Sequence, residues 1–144
     1  MRLHILIAIA IFSILLTNPC EAAIIRIEDD PGGSLGDYIL RYSNMGRAGE
    51  KVIIDGRCYS ACTTVIGLVP PKSICVTPRA RLGFHAALIR DHWGRPVVDP
   101  DATRLLFNIY PKPIRDWVVF NGGLDARMIY IGGDDLAKLY AWCR

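Results

Sequence analysis

The sequence predicts one small α/β domain with a mostly parallel, buried sheet and covering helices, behind a short leader. Three features predict it. Val52, Ile53 and Ile54 are consecutive apolar residues, the pattern of a strand covered on both faces. Residues 23–28, 35–45 and 51–55 read in turn as strand, helix and strand, a unit that closes as a parallel pair through a right-handed crossover. Segments bearing Gly, Ser and His each follow a strand-like run, where open parallel sheets gather their ligand sites.

Residues 1–22 differ in kind from the rest. Arg2 precedes an apolar run over residues 5–16, and Cys20 and Ala22 put small side chains at the minus-three and minus-one positions of a cut before Ala23. These are the marks of a secretory signal peptide. The run is shorter than the roughly 20 residues of a comfortable membrane span, so membrane contact is expected only before cleavage, an uncleaved anchor being the other reading. Lipidation at Cys20 is not expected, because Leu16-Thr17-Asn18-Pro19 puts no small residue beside it. Residues 23–144 are enough for one core and too few for two. A periplasmic or secreted location follows.

The chain has 17 basic and 14 acidic residues, a net charge of +3. Arg2 and Glu21 fall in the leader, so the mature part keeps that balance, and its charges are scattered. A nucleic-acid partner would need a basic stripe, so none is expected.

The elements follow in order. Residues 29–33, with Pro31, Gly32 and Gly33, end the first strand, and Ser34 is positioned to cap a helix along which Leu35, Ile39, Tyr42 and Met45 recur at helical spacing. Gly46 and Gly49 are expected to stop it. After the 51–55 strand, a tight turn leads to a helix from Ser60 to about Leu68, apolar almost all round and therefore buried. Pro70 and Pro71 end that helix, and residues 73–77 and 81–86 read as short strand pieces joined at Pro78. Residues 88–100 read as an irregular polar loop. Ala102, Leu105, Leu106 and Ile109 mark one helix and Ile114, Trp117 and Val118 another, parted by Pro111 and Pro113. Gly122 and Gly123 end the second, residues 127–131 read as a short strand, and 134–142 as a closing helix.

Four cysteines remain after the leader: Cys58, Cys62, Cys75 and Cys143. In an exported chain they are expected in disulfides, and four allow three pairings. Cys62 with Cys75 and Cys58 with Cys143 is the preferred one, because Cys58 and Cys62 flank one helix start, where their side chains should diverge. Zinc is not expected, since no second pair of thiols follows at finger spacing. Nor is any other metal or cofactor.

The stretch Gly56-Arg57-Cys58-Tyr59-Ser60-Ala61-Cys62-Thr63 sets a serine between a strand and a helix, where free backbone N–H groups meet a developing negative charge. Asp30-Pro31-Gly32-Gly33-Ser34 precedes it, and Arg81-Leu82-Gly83-Phe84-His85-Ala86 follows. Each has a plainer reading, as an N-cap serine, an ordinary turn and a half-buried histidine. Together, over about residues 24–87, they resemble the ClpP/crotonase-like superfamily, and Cys-x-Ser-Ala-Cys-Thr is similar to exported bacterial ClpP-like proteins. In the peptidase branch a Pro-Gly-Gly turn gives an oxyanion-hole amide, a serine opens a buried helix, and a histidine ends a later strand.

The resemblance implies a serine hydrolase acting on a peptide or other acyl substrate. Ser60 is then the nucleophile, His85 the base, and Ala61 with Gly32 or Gly33 the donors to the oxyanion. An orienting aspartate is expected just ahead of a late strand, but residues 128–131 offer none, and Asp125 is the nearest acid before them. Asp99, Asp101 and Asp116 have less positional support. Lys72 and Lys112 have no special claim to a Ser-Lys arrangement. The alternative is a ClpP-like domain that has lost catalysis and binds a peptide or partner. An acyl-CoA enzyme sits badly with export, and a cysteine nucleophile with disulfide formation.

Overall fold

The computed structural model describes residues 22–144, so all but the last residue of the expected leader lies outside the described residues. The chain runs β1 (Ile24–Asp30), α1 (Leu35–Ala48), β2 (Lys51–Tyr59), a 3-10 turn (Ser60–Thr64), α2 (Val65–Leu68) and a second 3-10 turn (Pro71–Ser73). It continues with β3 (Ile74–Val76), β4 (Arg81–Phe84), β5 (Leu88–Arg90), β6 (Pro96–Val98), α3 (Pro100–Ile109) and α4 (Lys112–Phe120), and ends with β7 (Ile129–Gly132), α5 (Gly133–Ala137) and β8 (Ala141–Trp142).

Six strands form one curled sheet in the order β7-β4-β2-β3-β8, with β1 also on β2. β2 is its spine. The first half of β2 pairs in parallel with β3, its last residues pair in parallel with β4, and β1 runs parallel to it. Glycine is required where β1 and β2 cross: a Cβ on Gly56 would lie 1.9 Å from the Glu28 carbonyl oxygen, beside the irregularity between Ile27 and Asp29. Val52 and Ile54 of β2 and Leu82 and Phe84 of β4 join Tyr42 of α1, Ile66 of α2, Leu106 of α3 and Val118 of α4 in the core.

The sheet is mixed, which corrects the mostly parallel one expected. β7 pairs antiparallel with β4, because the chain re-enters at the carboxyl edge, where Ile129 faces Phe84. Residues 88–100 contain an antiparallel hairpin, β5–β6, in place of an irregular loop. Its turn is built by the Asp91 carboxylate, which accepts from the N–H groups of Trp93 and Arg95, and by Gly94 at φ 79°. The expected closing helix is only α5, and β8 then pairs with β3 where Cys75 is bonded to Cys143. The helix expected from Ser60 is a 3-10 turn followed by one α turn. α1 runs through Gly46 and ends at Gly49 in the left-handed conformation, and Ser34 makes no side-chain capping bond.

The cysteine pairing also differs. The disulfides are Cys58–Cys62 and Cys75–Cys143, with Cα separations of 5.3 and 5.0 Å. Cys58 and Cys62 do not diverge, because the chain reverses between them at Ser60, whose φ is +56°. Mass-spectrometric mapping of the non-reduced protein is expected to yield these two linkages, and a Cys62–Cys75 peptide would contradict them.

Asp55 is buried on β2 at 5% exposure and is surrounded by donors: Arg26, Arg79 at 2.6 Å and Thr77 at 2.7 Å. The Arg79 bonds, then Thr77, hold its carboxyl well below the usual carboxylate range, against the opposing effect of burial. A carboxyl depressed in the folded state lends stability that is complete above its unfolded pKa of about 4 and is lost as pH falls through the folded value. Urea midpoints are therefore expected to drop on acidification below about pH 4, and Asp55→Asn is expected to lower the neutral midpoint and flatten that drop.

Candidate active site

Strand register brings the three motifs together. Asp30, the last residue of β1, pairs with Cys58, and Tyr59, the last of β2, pairs with Gly83 of β4. Pro31-Gly32-Gly33, Ser60 and His85 therefore leave the same edge of the sheet within one or two residues of each other. Pro31, Gly32, Gly33, Ser60, Ala61 and His85 line one cavity of about 390 Å³. Its other walls include Leu35, Leu88 and Leu106, and among the described residues no Asp, Glu, Lys or Arg lines it.

Ser60 is the one non-glycine residue with positive φ among the described residues. For an L-residue this conformation costs about 1–2 kcal/mol, and such strain gathers at functional sites. It turns the chain sharply out of β2. A strand-to-helix turn of this kind holds a serine hydroxyl out from the sheet. Three contacts hold it: the Cys58–Cys62 bond spans it, the Thr63 hydroxyl donates to the Ser60 carbonyl at 2.6 Å, and Gly32 packs behind it. Because Thr63 has given its one proton to that carbonyl, the Tyr110 hydroxyl donates to Thr63, also at 2.6 Å. Burial pushes the Tyr110 phenol up, which keeps it a donor.

The glycine turn is fixed from the opposite side. The Asp30 carboxylate accepts from the Gly32 N–H at 2.9 Å and from the Tyr38 hydroxyl at 2.6 Å. Burial, then the bond to Asp30, pushes the Tyr38 phenol up to about 12. The Gly32 N–H is taken by this bond, and the Gly33 N–H donates to no protein group among the described residues. Gly32, at φ 88°, has another task. A Cβ there would lie 2.6 Å from the Tyr59 oxygen and 2.7 Å from the Ser60 Cβ. Ala61, in the first turn of its short helix, has an N–H ahead of the first intrahelical acceptor.

His85 is half-buried just beyond β4, and its Nδ1 lies 2.6 Å from the Ala86 carbonyl oxygen. A carbonyl only accepts, so Nδ1 carries a proton, and in the neutral ring it is Nε2 that has the free lone pair of a base. Both peptides of Ala86 are held in turn: its N–H donates to the Asp125 carbonyl at 2.8 Å, and the peptide that bears its carbonyl donates through the Ala87 N–H to the Thr103 hydroxyl at 3.0 Å. Asp125 thus acts through its backbone, and its carboxylate accepts from the Ala126 N–H at 2.7 Å. No carboxylate is bonded to His85 among the described residues, and no hydrogen bond joins His85 to Ser60 there.

The other candidates lie elsewhere. Asp99 caps α3, Asp101 pairs with Arg104, Asp116 pairs with Lys112, and Lys72 is exposed. Cys58 and Cys62 are bonded to each other and are not nucleophiles. Among the described residues no group of three His, Cys, Asp or Glu side chains is placed to hold a metal. Two positioning groups had escaped the sequence reading. Asp30 was legible, since an aspartate two residues ahead of a glycine N–H is an Asx turn. The Ala86 carbonyl has no side-chain signal.

Gly32→Ala is expected to destabilise the fold by about 1–3 kcal/mol and to displace Ser60, whereas Gly94→Ala on the hairpin leaves the site in place; thermal melts and chemical shifts of Ser60 and Ala61 distinguish the two. In comparison with known proteins, no family model and no curated protein matches the chain.

Proposed function

We propose that the domain is a serine hydrolase of the ClpP/crotonase-like kind, acting outside the cytoplasm on a peptide or another acyl substrate. The observation that carries this is Ser60: a serine held at positive φ, against its own preference, in an uncharged cavity that it shares with a histidine of defined tautomer and an unoccupied glycine N–H. The two disulfides fit an oxidising compartment.

Ser60 Oγ would attack the acyl carbon as its proton passes to His85 Nε2. The oxygen that becomes negative would accept from the Gly33 and Ala61 N–H groups, in a cavity where little competing charge weakens those bonds. Collapse breaks the bond to the leaving group, which takes the proton from Nε2. Water then attacks the acyl-serine by the same route in reverse. Such a pair closes to hydrogen-bond distance when substrate is bound. The Ala86 carbonyl would set the tautomer, the first of the two tasks of a triad aspartate, but as a neutral group it would stabilise the imidazolium less. That same feature favours a second reading, a peptide-binding domain with no turnover.

A fluorophosphonate separates the two. The hydrolase reading expects covalent labelling at Ser60 that vanishes in Ser60→Ala and slows by about 100-fold or more in His85→Ala. A protein that is folded and unlabelled at neutral pH is a binding domain.

A further inference from the structure

We infer that the Cys58–Cys62 disulfide is an oxidation gate on Ser60: the bond sets the serine's conformation, so the site is assembled only after the chain has met a disulfide oxidant. This rests on the hydrolase reading for its consequence, though its geometry stands apart from it. The bond closes a five-residue ring, Cys58-Tyr59-Ser60-Ala61-Cys62, with Ser60 at its centre. Serine seldom adopts positive φ by itself, and neither neighbour is a glycine that could take up the reversal instead. Cys58 ends in the sheet, paired with Asp30, so its position is fixed. Tying Cys62 back to it leaves residue 60 to absorb the turn.

Both cysteines are fully buried, and the Tyr42 hydroxyl lies 3.6 Å from the Cys62 sulfur. The folded, oxidised protein is therefore shielded from thiols, which makes the bond a one-time assembly step and not a reversible switch. The step balances: the two thiols lose two electrons and two protons, forming one S–S bond, and the disulfide of the oxidant is broken to two thiols. In a reducing compartment the thiols persist, Ser60 relaxes to negative φ, and its hydroxyl leaves the position opposite His85. Cys75–Cys143 joins β3 to the segment after β8, and the ring that it closes does not contain Ser60.

The test compares oxidised wild type, Cys58→Ala/Cys62→Ala and Cys75→Ala/Cys143→Ala. Each is measured for Ser60 labelling by a fluorophosphonate and for φ at residue 60 from backbone three-bond couplings. Wild type and the Cys75/Cys143 variant are expected to label alike. The Cys58/Cys62 variant is expected to remain folded, to show negative φ at Ser60 and to label slower by about ten-fold or more. Cys58→Val/Cys62→Ala, which refills the buried space, is expected to behave the same way. Labelling at the wild-type rate with positive φ in either variant overturns the gate. So does failure of both to fold, because the bond would then hold the whole domain and not the turn. If wild type does not label but φ still changes on removing the bond, the hydrolase reading falls and the gate on the turn stands.

Discussion

Everything at the carboxyl edge of the sheet depends on how β2 ends. Its last residues are held on both sides, Cys58 against Asp30 of β1 and Tyr59 against Gly83 of β4. The chain must leave between two neighbours that end at the same level, and it does so by putting Ser60 at φ +56°. A conformation that serine disfavours by about 1–2 kcal/mol persists because the Cys58–Cys62 bond closes the turn and the contacts around it accommodate the result. The disulfide spans the turn, Thr63 and Tyr110 hold its carbonyl, and the missing Cβ of Gly32 lets the β1 turn close against it.

The same constraint divides what the sequence could tell from what it could not. The strand–helix–strand unit was legible because Val52-Ile53-Ile54 and the helical spacing of Leu35 to Met45 are local patterns, and the Gly, Ser and His motifs were legible as punctuation after strands. Their convergence followed from parallel pairing alone. What was not legible was non-local. Serine gives no sign that its φ will be positive, so the reversal that joins Cys58 to Cys62 was hidden, and the pairing read from diverging side chains was wrong for that reason. The antiparallel direction of β7 depends on which edge the chain returns to, and the short β5–β6 strands were masked by their polar turn. The second half of the expected 134–142 helix gave way to β8, which pairs with β3 where Cys143 is bonded to Cys75, a contact between distant positions that no local pattern announces.

On the hydrolase reading, the histidine would be oriented by a backbone group in place of a side chain. A carboxylate beside an imidazole orients the ring and stabilises its charged form; a carbonyl oxygen orients the ring with only a dipole to offer the charge. Here the Ala86 carbonyl takes Nδ1, and the peptide that bears it is pinned by Thr103, whose hydroxyl accepts from the Ala87 N–H. On the hydrolase reading, a cavity whose lining residues include no Asp, Glu, Lys or Arg among the described residues would work in the other direction, since few competing charges would weaken hydrogen bonds from Gly33 and Ala61 to a negative oxygen. On that reading the arrangement would place more of the burden on the oxyanion donors than on the base.

The most direct measurement is a crystal structure of the oxidised protein after reaction with a small alkyl phosphonate. The account predicts a P–O bond to Ser60 Oγ at positive φ, a phosphonyl oxygen accepting from the Gly33 and Ala61 N–H groups, and His85 Nε2 against the adduct. An unmodified Ser60, or an adduct whose oxygen points away from both amides, would contradict it.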